Sequence, residues 1–207
     1  MKRIGITGPT GAGKTTALHA LTALGAAVID ADAMYHDLLS SDQGLKEALT
    51  GRFGTGILDE GGQIARKRLG EIVFSDHQAL EDLNAITHRF ILEELERRTE
   101  AARREGREAV AVDAIRLIES GIGASCDAVV GILAPSELRI RRIMAREGIG
   151  EVYARKRVES QPGDDFYRAH CSHILENGPE DTPETFQRRA LALFQSLLGG
   201  EKEIPSS

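Results

Sequence analysis

The segment from Gly8 to Thr15 reads GPTGAGKT, a glycine-rich sequence of the form G-x-x-x-x-G-K-T. In such a loop, backbone N–H groups surround phosphate oxygens, and the dipole of the following helix favours the anion. The loop therefore needs a strand before it and a helix after it. Ile4 to Thr7 is a short apolar run, and Leu18, Leu21 and Leu24 follow the loop at helical spacing. The sequence predicts a strand, a phosphate-binding loop and a helix, in that order.

Further strand-like runs indicate an α/β fold. Ala26 to Ile29 is a second apolar run, and the helix between it and the first run predicts a β-α-β unit with parallel strands. Ala109 to Val112 and Ala128 to Leu133 are continuous apolar stretches, as expected for strands covered on both faces. A last run, His173 to Leu175, precedes a closing helix with Thr182 as its N-cap. We predict a P-loop NTP hydrolase-like core, a parallel sheet flanked by helices.

Two other parts of the chain differ in pattern from this core. The apolar positions from Met34 to about Arg104 fall at helical spacing, which predicts a helical insertion. The segment from Ser136 to Glu147 is a strongly basic helix, and it predicts an arginine-bearing lid. We expect one P-loop kinase domain over residues 1–207. Its predicted parts are a core at about 1–32, 108–135 and 166–200, an acceptor-binding helical insertion at about 33–107, a lid at about 136–165, and a frayed tail from Glu201 to Ser207.

Charge and composition narrow the possible partners. The formal net charge is −6 and the pI is about 5.6, which argues against nucleic acid as the main partner. No segment approaches the ~20 apolar residues of a membrane span. The two cysteines, Cys126 and Cys171, lack a metal or disulfide pattern and suggest free thiols in a reducing compartment. We expect a cytoplasmic protein that acts on a small molecule, with no membrane or nucleic-acid partner, as a monomer or weak homo-oligomer.

The glycine loop alone is shared by GTPases, ATP-driven motors and small-molecule kinases. The chain has no Asn-Lys-x-Asp string that would read guanine, and Asp113 is followed by Ala114 instead of the glutamate typical of motors. A small-molecule kinase is therefore favoured, with ATP and Mg²⁺ as its cofactors. In this interpretation Lys14 binds the β- and γ-phosphates, and the Thr15 hydroxyl is a ligand of Mg²⁺.

Charged residues outside the loop are further candidates for catalysis. Arg142 and Arg146 lie four residues apart on one helix face, with Arg139 one turn earlier, and could neutralise charge in the transition state. The alternative is an exposed basic helix surface. Asp32 lies just beyond the end of a strand, where it could deprotonate an acceptor hydroxyl, and Asp30 could do this instead. The alternative for both carboxylates is to cap the following helix.

Two more residues are weaker candidates. Asp113 follows the third predicted strand, at the position expected for an outer ligand of Mg²⁺, and could also be a simple residue at a strand end. His88 is a lone histidine on a charged helix, and such a residue usually lies on the surface.

The sequence resembles the dephospho-CoA kinase family over nearly its whole length. The stretch from Val28 to Asp32, Val-Ile-Asp-Ala-Asp, is the most specific match. Other matching segments lie in the helical insertion, in the basic helix and after it, and near the last strand. They are Phe53-Gly54, Phe74 to Asp76, Leu83 to His88, Ile143 to Gly148, Arg157 to Gln161 and Ile174 to Gly178.

The resemblance implies transfer of the ATP γ-phosphoryl group to the ribose 3′-hydroxyl of dephospho-CoA, the last step of coenzyme A biosynthesis. It implies that Asp32 is the base, that Arg142 and Arg146 act in the lid, and that Asn177 and Gly178 lie near adenine. The predicted site residues form four groups. They are Lys14, Asp32, Arg142 and Arg146 for catalysis; Gly11, Ala12, Gly13, Lys14, Thr15, Thr16, Asn177 and Gly178 for ATP; Asp32, His88, Arg89 and Asp113 for the acceptor; and Thr15 and Asp113 for Mg²⁺.

The acceptor region departs from the family pattern at two places. The family usually has a proline after the histidine and an arginine three residues later, where this chain has Arg89 and Leu92. The family stretch D-V-P-L-L-F-E reads Asp-Ala-Ile-Arg-Leu-Ile-Glu from Asp113 to Glu119, so an arginine, Arg116, enters it. Either Arg89 or Arg116 could replace the lost charge. Two alternatives stay open: a kinase with a different small hydroxyl acceptor, and a nucleotide-binding regulatory protein that has lost catalysis.

Overall fold

The computed structural model describes residues 1–199, so the predicted frayed tail and the end of the last predicted core range lie outside it. The described chain folds around one five-stranded sheet of order β2-β3-β1-β4-β5, with helices on both faces. The strands are β1 Lys2–Thr7, β2 Ala26–Asp30, β3 Ala109–Asp113, β4 Ala128–Leu133 and β5 His173–Glu176. The α-helices are α1 Lys14–Ala23, α2 Ala31–Ser41, α3 Gln43–Phe53, α4 Arg66–Ser75, α5 His77–Arg104, α6 Ser136–Glu147, α7 Glu151–Glu159, α8 Asp164–His170 and α9 Pro183–Leu198; two 3₁₀ turns span Thr55–Ile57 and Ile122–Ser125.

Every strand pair in the sheet is parallel, which confirms the predicted α/β class. β1 is central, and its Ile6 pairs in register with Asp113 of β3 and with Val130 of β4. Asp113 also pairs with Asp30 of β2. Because parallel strands end at the same edge, the register brings Thr7, Asp30 and Asp113 together at the carboxyl edge of the sheet.

The sheet separates two apolar clusters. One lies between the sheet and helices α2 to α5, and the other between the sheet and the pair α1 and α9. In the second cluster Leu21 of α1 and Phe186 and Phe194 of α9 are almost fully buried. Full burial of one such side chain stabilises a fold by roughly 1.5–3 kcal/mol, so α9 closes the face behind the phosphate-binding loop.

The predicted helical insertion consists of four helices, α2 to α5, between β2 and β3. The chain turns at the glycine-rich segments, and it also breaks at Asp42 and Asp76, which the apolar pattern did not indicate. Asp42 accepts a hydrogen bond from the Leu45 N–H at 2.7 Å, and Asp76 accepts one from the Gln78 N–H at 2.9 Å. Each aspartate therefore caps a new helix, a favourable use of a short carboxylate.

The closing helix has the predicted limits. Thr182 and Thr185 form a reciprocal cap at its start, Pro183 is its first residue, and Gly199 ends it with φ of 87°. Both thiols are free, as predicted. Within residues 1–199, no helix combines the length and the apolar character that crossing a bilayer requires.

Candidate active site

A cleft of about 380 Å³ opens at the carboxyl edge of the sheet, above the glycine loop. Its walls come from the loop, the ends of β2 and β3, and the basic helices α6 and α7. The lining residues are Thr10, Gly11, Gly13, Lys14, Thr15, Asp30, Asp32, Asp113, Ile115, Arg142, Arg146 and Arg157. Eight of the fourteen predicted site residues are among them, namely Gly11, Gly13, Lys14, Thr15, Asp32, Asp113, Arg142 and Arg146.

The loop requires glycine at two positions for steric reasons. Gly8 has φ of 137°, and a Cβ atom there would clash with the Ile132 carbonyl oxygen of β4. Gly13 has φ of 110°, and a Cβ atom there would clash with the Asn177 amide nitrogen. Backbone in this region favours glycine, so the loop packs against β4 and Asn177 only because these positions lack side chains.

Lys14 is the first residue of α1 and reaches back across the loop. Its Nζ donates a hydrogen bond to the Gly8 carbonyl oxygen at 2.7 Å. Burial lowers the pKa of the Lys14 ammonium group, while the nearby carboxylates of Asp113 and Asp32 act in the opposite direction. The ammonium group is thus held at the cleft, close to the position where a phosphate would bind to the loop.

Asp30 and Asp32 both line the cleft, but their carboxylates have different partners. Asp30 is the N-cap of α2 and accepts a hydrogen bond from the Ala33 N–H at 2.8 Å. Asp32 lies in the first turn of α2, and its Oδ2 accepts a hydrogen bond from the Ile115 N–H at 3.2 Å. Asp30 therefore caps α2, which was the alternative for both carboxylates. The Asp32 carboxylate instead bonds to the segment after β3 and lines the cleft.

Asp113 ends β3 and lines the same cleft. Its Oδ1 is buried without a hydrogen-bond partner among the described residues. Burial raises the pKa of the Asp113 carboxyl group, and the Lys14 ammonium group lowers it. Thr15 lines the same cleft with an exposed side chain. A buried carboxylate oxygen without a partner and a hydroxyl group are hard oxygen donors, so this part of the cleft fits a divalent cation such as Mg²⁺.

The predicted lid arginines, Arg142 and Arg146, also line the cleft. Arg142 of α6 donates to the Gly11 carbonyl oxygen at 3.2 Å and to Asn177 Oδ1 at 3.1 Å. Arg146 donates to Glu147 at 2.6 Å, and the same carboxylate accepts a hydrogen bond from Arg157 of α7. The basic face of α6 is therefore not simply an exposed surface. Arg142 is hydrogen-bonded to the loop, and Arg146 and Arg157 both bind the Glu147 carboxylate.

Arg139 differs from the other two arginines of the predicted group. Only 3% of this residue is exposed, and it lies beneath the loop. Its Nε donates to the Thr10 carbonyl oxygen at 2.9 Å, and its Nη2 donates to Gln161 Oε1 at 2.7 Å. Spacing on α6 placed Arg139 on the same face as Arg142, but it could not indicate that Arg139 packs under the loop.

Several cleft residues were not predicted as site residues. Thr10 is part of the loop, Ile115 follows Asp113, and Arg157 belongs to the basic stretch after α6. Gln161 contacts the loop from the segment after α7. For Arg157 and Gln161 the available signal was their place in the segment similar to the dephospho-CoA kinase family.

Two predicted acceptor residues lie on α5, away from the residues that line the cleft. His88 is half-buried, with Nε2 beside Gly121 and without a hydrogen-bond partner in the described part of the chain. Arg89 is exposed, 3.7 Å from Glu93, and its guanidinium lies 4.6 Å from the centre of the Phe90 ring. Their proposed contact with an acceptor stays a prediction.

The remaining predicted nucleotide residues support the loop from behind. Asn177 is 5% exposed, and its Nδ2 donates to the carbonyl oxygen of the buried Ala12 at 2.9 Å. Thr16 follows Thr15 in the first turn of α1 and is half-buried. The Gly178 N–H donates to Asp181 at 2.7 Å, which fixes the turn after β5. The structure thus brings Ala12 and Asn177 together, behind the cleft wall.

Comparisons with known proteins point to one family. The model of the dephospho-CoA kinase family matches residues 2–181. A dephospho-CoA kinase of Corynebacterium diphtheriae is 35% identical over 199 residues, which cover 96% of this chain and 100% of that protein. The crystal structure of TT1252 from Thermus thermophilus has a TM-score of 0.73 and 29% identity, covering 96% of this chain and 98% of that one. The dephospho-CoA kinase structure from Campylobacter jejuni has a TM-score of 0.64 and 26% identity, covering 97% of this chain and 99% of that one.

Proposed function

The chain belongs to the dephospho-CoA kinase family, and we propose that it transfers the γ-phosphoryl group of ATP to the ribose 3′-hydroxyl of dephospho-CoA, the last step of coenzyme A biosynthesis. The observation that supports this most directly is the shared cleft of the glycine loop, Lys14 and Asp32. A phosphate-binding loop supplies the donor side, and a carboxylate fixed on the facing wall supplies a base for an acceptor hydroxyl.

For the donor, we assign the phosphates of ATP to the loop N–H groups from Gly11 to Thr16 and to Lys14. We assign Mg²⁺ to the Thr15 hydroxyl and to Asp113, whose Oδ1 has no partner in the described chain. When bound, Mg²⁺ neutralises charge on the β- and γ-phosphates. Asn177 supports the loop through Ala12, and we place adenine near Asn177 and Gly178.

For the transfer, Asp32 accepts the proton of the 3′-hydroxyl as its oxygen forms a bond to the γ-phosphorus. The bond from the γ-phosphorus to the β–γ bridging oxygen breaks in line, and ADP leaves. The Ile115 N–H holds the Asp32 carboxylate for this step. Lys14, Arg142 and Arg146 stabilise the negative charge on the transferring group, and residues 136–165 act as the lid that excludes water.

For the acceptor, we propose that residues 33–107 form the binding part and that Arg116 supplies the guanidinium missing at Leu92. Arg116 is exposed and directly follows Ile115, which lines the cleft and bonds to Asp32. Arg89 lies farther along α5, against Phe90 and Glu93, and His88 packs beside Gly121, at the end of the segment that contains Arg116. These positions favour Arg116 over Arg89 as the residue whose guanidinium binds a phosphate of the acceptor.

The proposal is tested by incubating the purified chain with ATP, Mg²⁺ and dephospho-CoA and quantifying ADP and CoA by mass-resolved chromatography. We expect CoA and ADP in equal amounts, and none from the Lys14→Ala variant, which lacks the ammonium group at the loop. ATP binding without CoA formation would contradict the acceptor assignment. The departures at Leu92 and Arg116 would then favour a different small hydroxyl acceptor, to be sought with nucleosides and sugar-like alcohols in the same assay.

A further inference from the structure

A buried guanidinium without a carboxylate partner lies beneath the glycine loop. Arg139 is 3% exposed, and no carboxylate of residues 1–199 lies within ion-pair distance of it. Its bonds go to the Thr10 carbonyl oxygen and to the Gln161 side chain, both neutral. Asp164 and the Tyr167 hydroxyl act on it only from a distance, and burial lowers the pKa of the Arg139 guanidinium. A buried charge paired only with neutral groups costs free energy in the nucleotide-free protein.

The partner of this charge is an amide where a carboxylate would fit. Gln161 Oε1 accepts hydrogen bonds from the Thr10 N–H at 3.1 Å and from Arg139 Nη2 at 2.7 Å. Its Nε2 donates to the Thr10 hydroxyl oxygen at 3.1 Å. A glutamate could keep all three bonds, because the Thr10 hydroxyl can rotate and donate to the second carboxylate oxygen. Hydrogen bonding alone therefore does not require an amide at position 161.

The same arrangement occurs a second time, one turn along α6. Arg142 bonds to the Gly11 carbonyl oxygen and to the Asn177 amide oxygen, and Asp181 acts on it only from a distance. In both pairs a guanidinium of α6 is held by a loop carbonyl oxygen and by a side-chain amide. Carboxylates do line the cleft, at Asp30, Asp32 and Asp113, but neither guanidinium is ion-paired with any of them in the part of the chain that the structure describes.

We propose that Gln161 and Asn177 are positioning residues whose neutrality leaves the charges of Arg139 and Arg142 uncompensated until a polyphosphate binds to the loop. The amides fix the two guanidinium groups against the loop backbone without cancelling their charge. The bound phosphates are then the counter-ions of these arginines, and nucleotide binding relieves the cost of burying Arg139. Arg139 also lies near enough to Lys14 to lower the pKa of its ammonium group, so its charge acts where phosphate would bind. This inference rests on the proposed ATP site and explains part of the affinity of that site for ATP.

The decisive variant is Gln161→Glu, which adds one negative charge while all three hydrogen bonds can persist. We expect the melting temperature of the nucleotide-free protein to rise, because Arg139 gains an ion pair. We expect the Kd for ATP, measured by titration calorimetry, to rise by about tenfold, since one charge beside the phosphates is removed from the field. In kinetics, KM for ATP should rise by a larger factor than kcat falls.

Two further variants separate charge from geometry. Gln161→Met keeps the neutral charge but loses the hydrogen bonds, so the nucleotide-free protein should melt at a lower temperature. Gln195→Glu adds the same charge on the exposed side of α9, outside the residues that line the cleft, and should change neither melting nor ATP binding.

The inference is overturned if Gln161→Glu binds ATP as tightly as the parent protein, or if it lowers the melting temperature as Gln161→Met does. The first result would mean that the charge at position 161 does not act on the bound phosphates, and the second that this position needs an amide for its hydrogen bonds. Calorimetry with ATP needs no acceptor, so failure to form CoA with normal ATP binding would contradict the acceptor assignment and leave this inference standing. The melting comparison tests the charge argument without any nucleotide.

Discussion

Two carboxylates separated by a single residue, Asp30 and Asp32, have different structural roles. Asp30 ends β2 and caps α2, whereas Asp32 is the second residue of the helix and accepts a hydrogen bond from the Ile115 N–H of the segment after β3. The sequence placed both at the end of a strand and could not separate them, because either aspartate could cap a helix that starts nearby. Because α2 starts at Ala31, Asp30 is the N-cap residue and Asp32 lies in the first turn, where its carboxylate is not used for capping.

At this scale we predict that Asp32→Asn lowers kcat by about 10²-fold or more while the Kd for ATP changes little. Asparagine can still accept the hydrogen bond from the Ile115 N–H, so the wall keeps its shape and only the base is lost. Steady-state kinetics and calorimetry with ATP measure the two quantities. Asp30→Asn is the matched control, because it removes a charge from the same cleft and asparagine caps a helix as well as aspartate does. An equal loss of kcat in both variants would refute Asp32 as the base.

At the scale of elements, the apolar pattern located all five strands and the basic helix to within one or two residues. It could not give the strand order, because β3 pairs with both β1 and β2 across the whole helical insertion. Nor could it give the helix breaks at Asp42 and Asp76, where the capping aspartates interrupt a continuous helical pattern. The burial of Arg139 was missed for a related reason: periodicity gives a face of α6 but not what packs against that face.

The segment after β3 connects the proposed base, Asp32, to the proposed acceptor contact, Arg116. Ile115 holds Asp32, and Arg116 follows it with an exposed side chain. If Arg116 binds a phosphate of dephospho-CoA, Arg116→Ala removes a charge-assisted contact worth about 1.5–3 kcal/mol. We therefore predict that KM for dephospho-CoA rises at least tenfold, with KM for ATP nearly unchanged.

Arg89→Ala is the control for this prediction, because it removes an arginine from the same region that lies against Phe90 and Glu93. Its KM for dephospho-CoA should change much less. A larger effect from Arg89→Ala than from Arg116→Ala would move the acceptor contact to α5, and the proposed replacement for the charge missing at Leu92 would be wrong.

At the scale of the whole molecule, the charge of the cleft is opposite in sign to the net charge of the chain. The chain has a formal net charge of −6, yet Lys14, Arg142, Arg146 and Arg157 line one cleft and Arg139 lies beneath its floor. Such a local positive field attracts a polyphosphate, while the overall negative charge disfavours long polyanions. The parallel sheet brings this about, since its carboxyl edge gathers the loop, the carboxylates and the arginine helices in one place.

The most direct measurement follows the phosphoryl group itself. The chain is incubated with ATP labelled at the γ-phosphate, Mg²⁺ and dephospho-CoA, and the label is located by chromatography and by digestion with a 3′-specific phosphatase. We predict that one label enters CoA for each ADP formed and that the phosphatase releases it completely from the 3′ position. Label that appears only in inorganic phosphate, or at any other position of the acceptor, would contradict the proposed transfer.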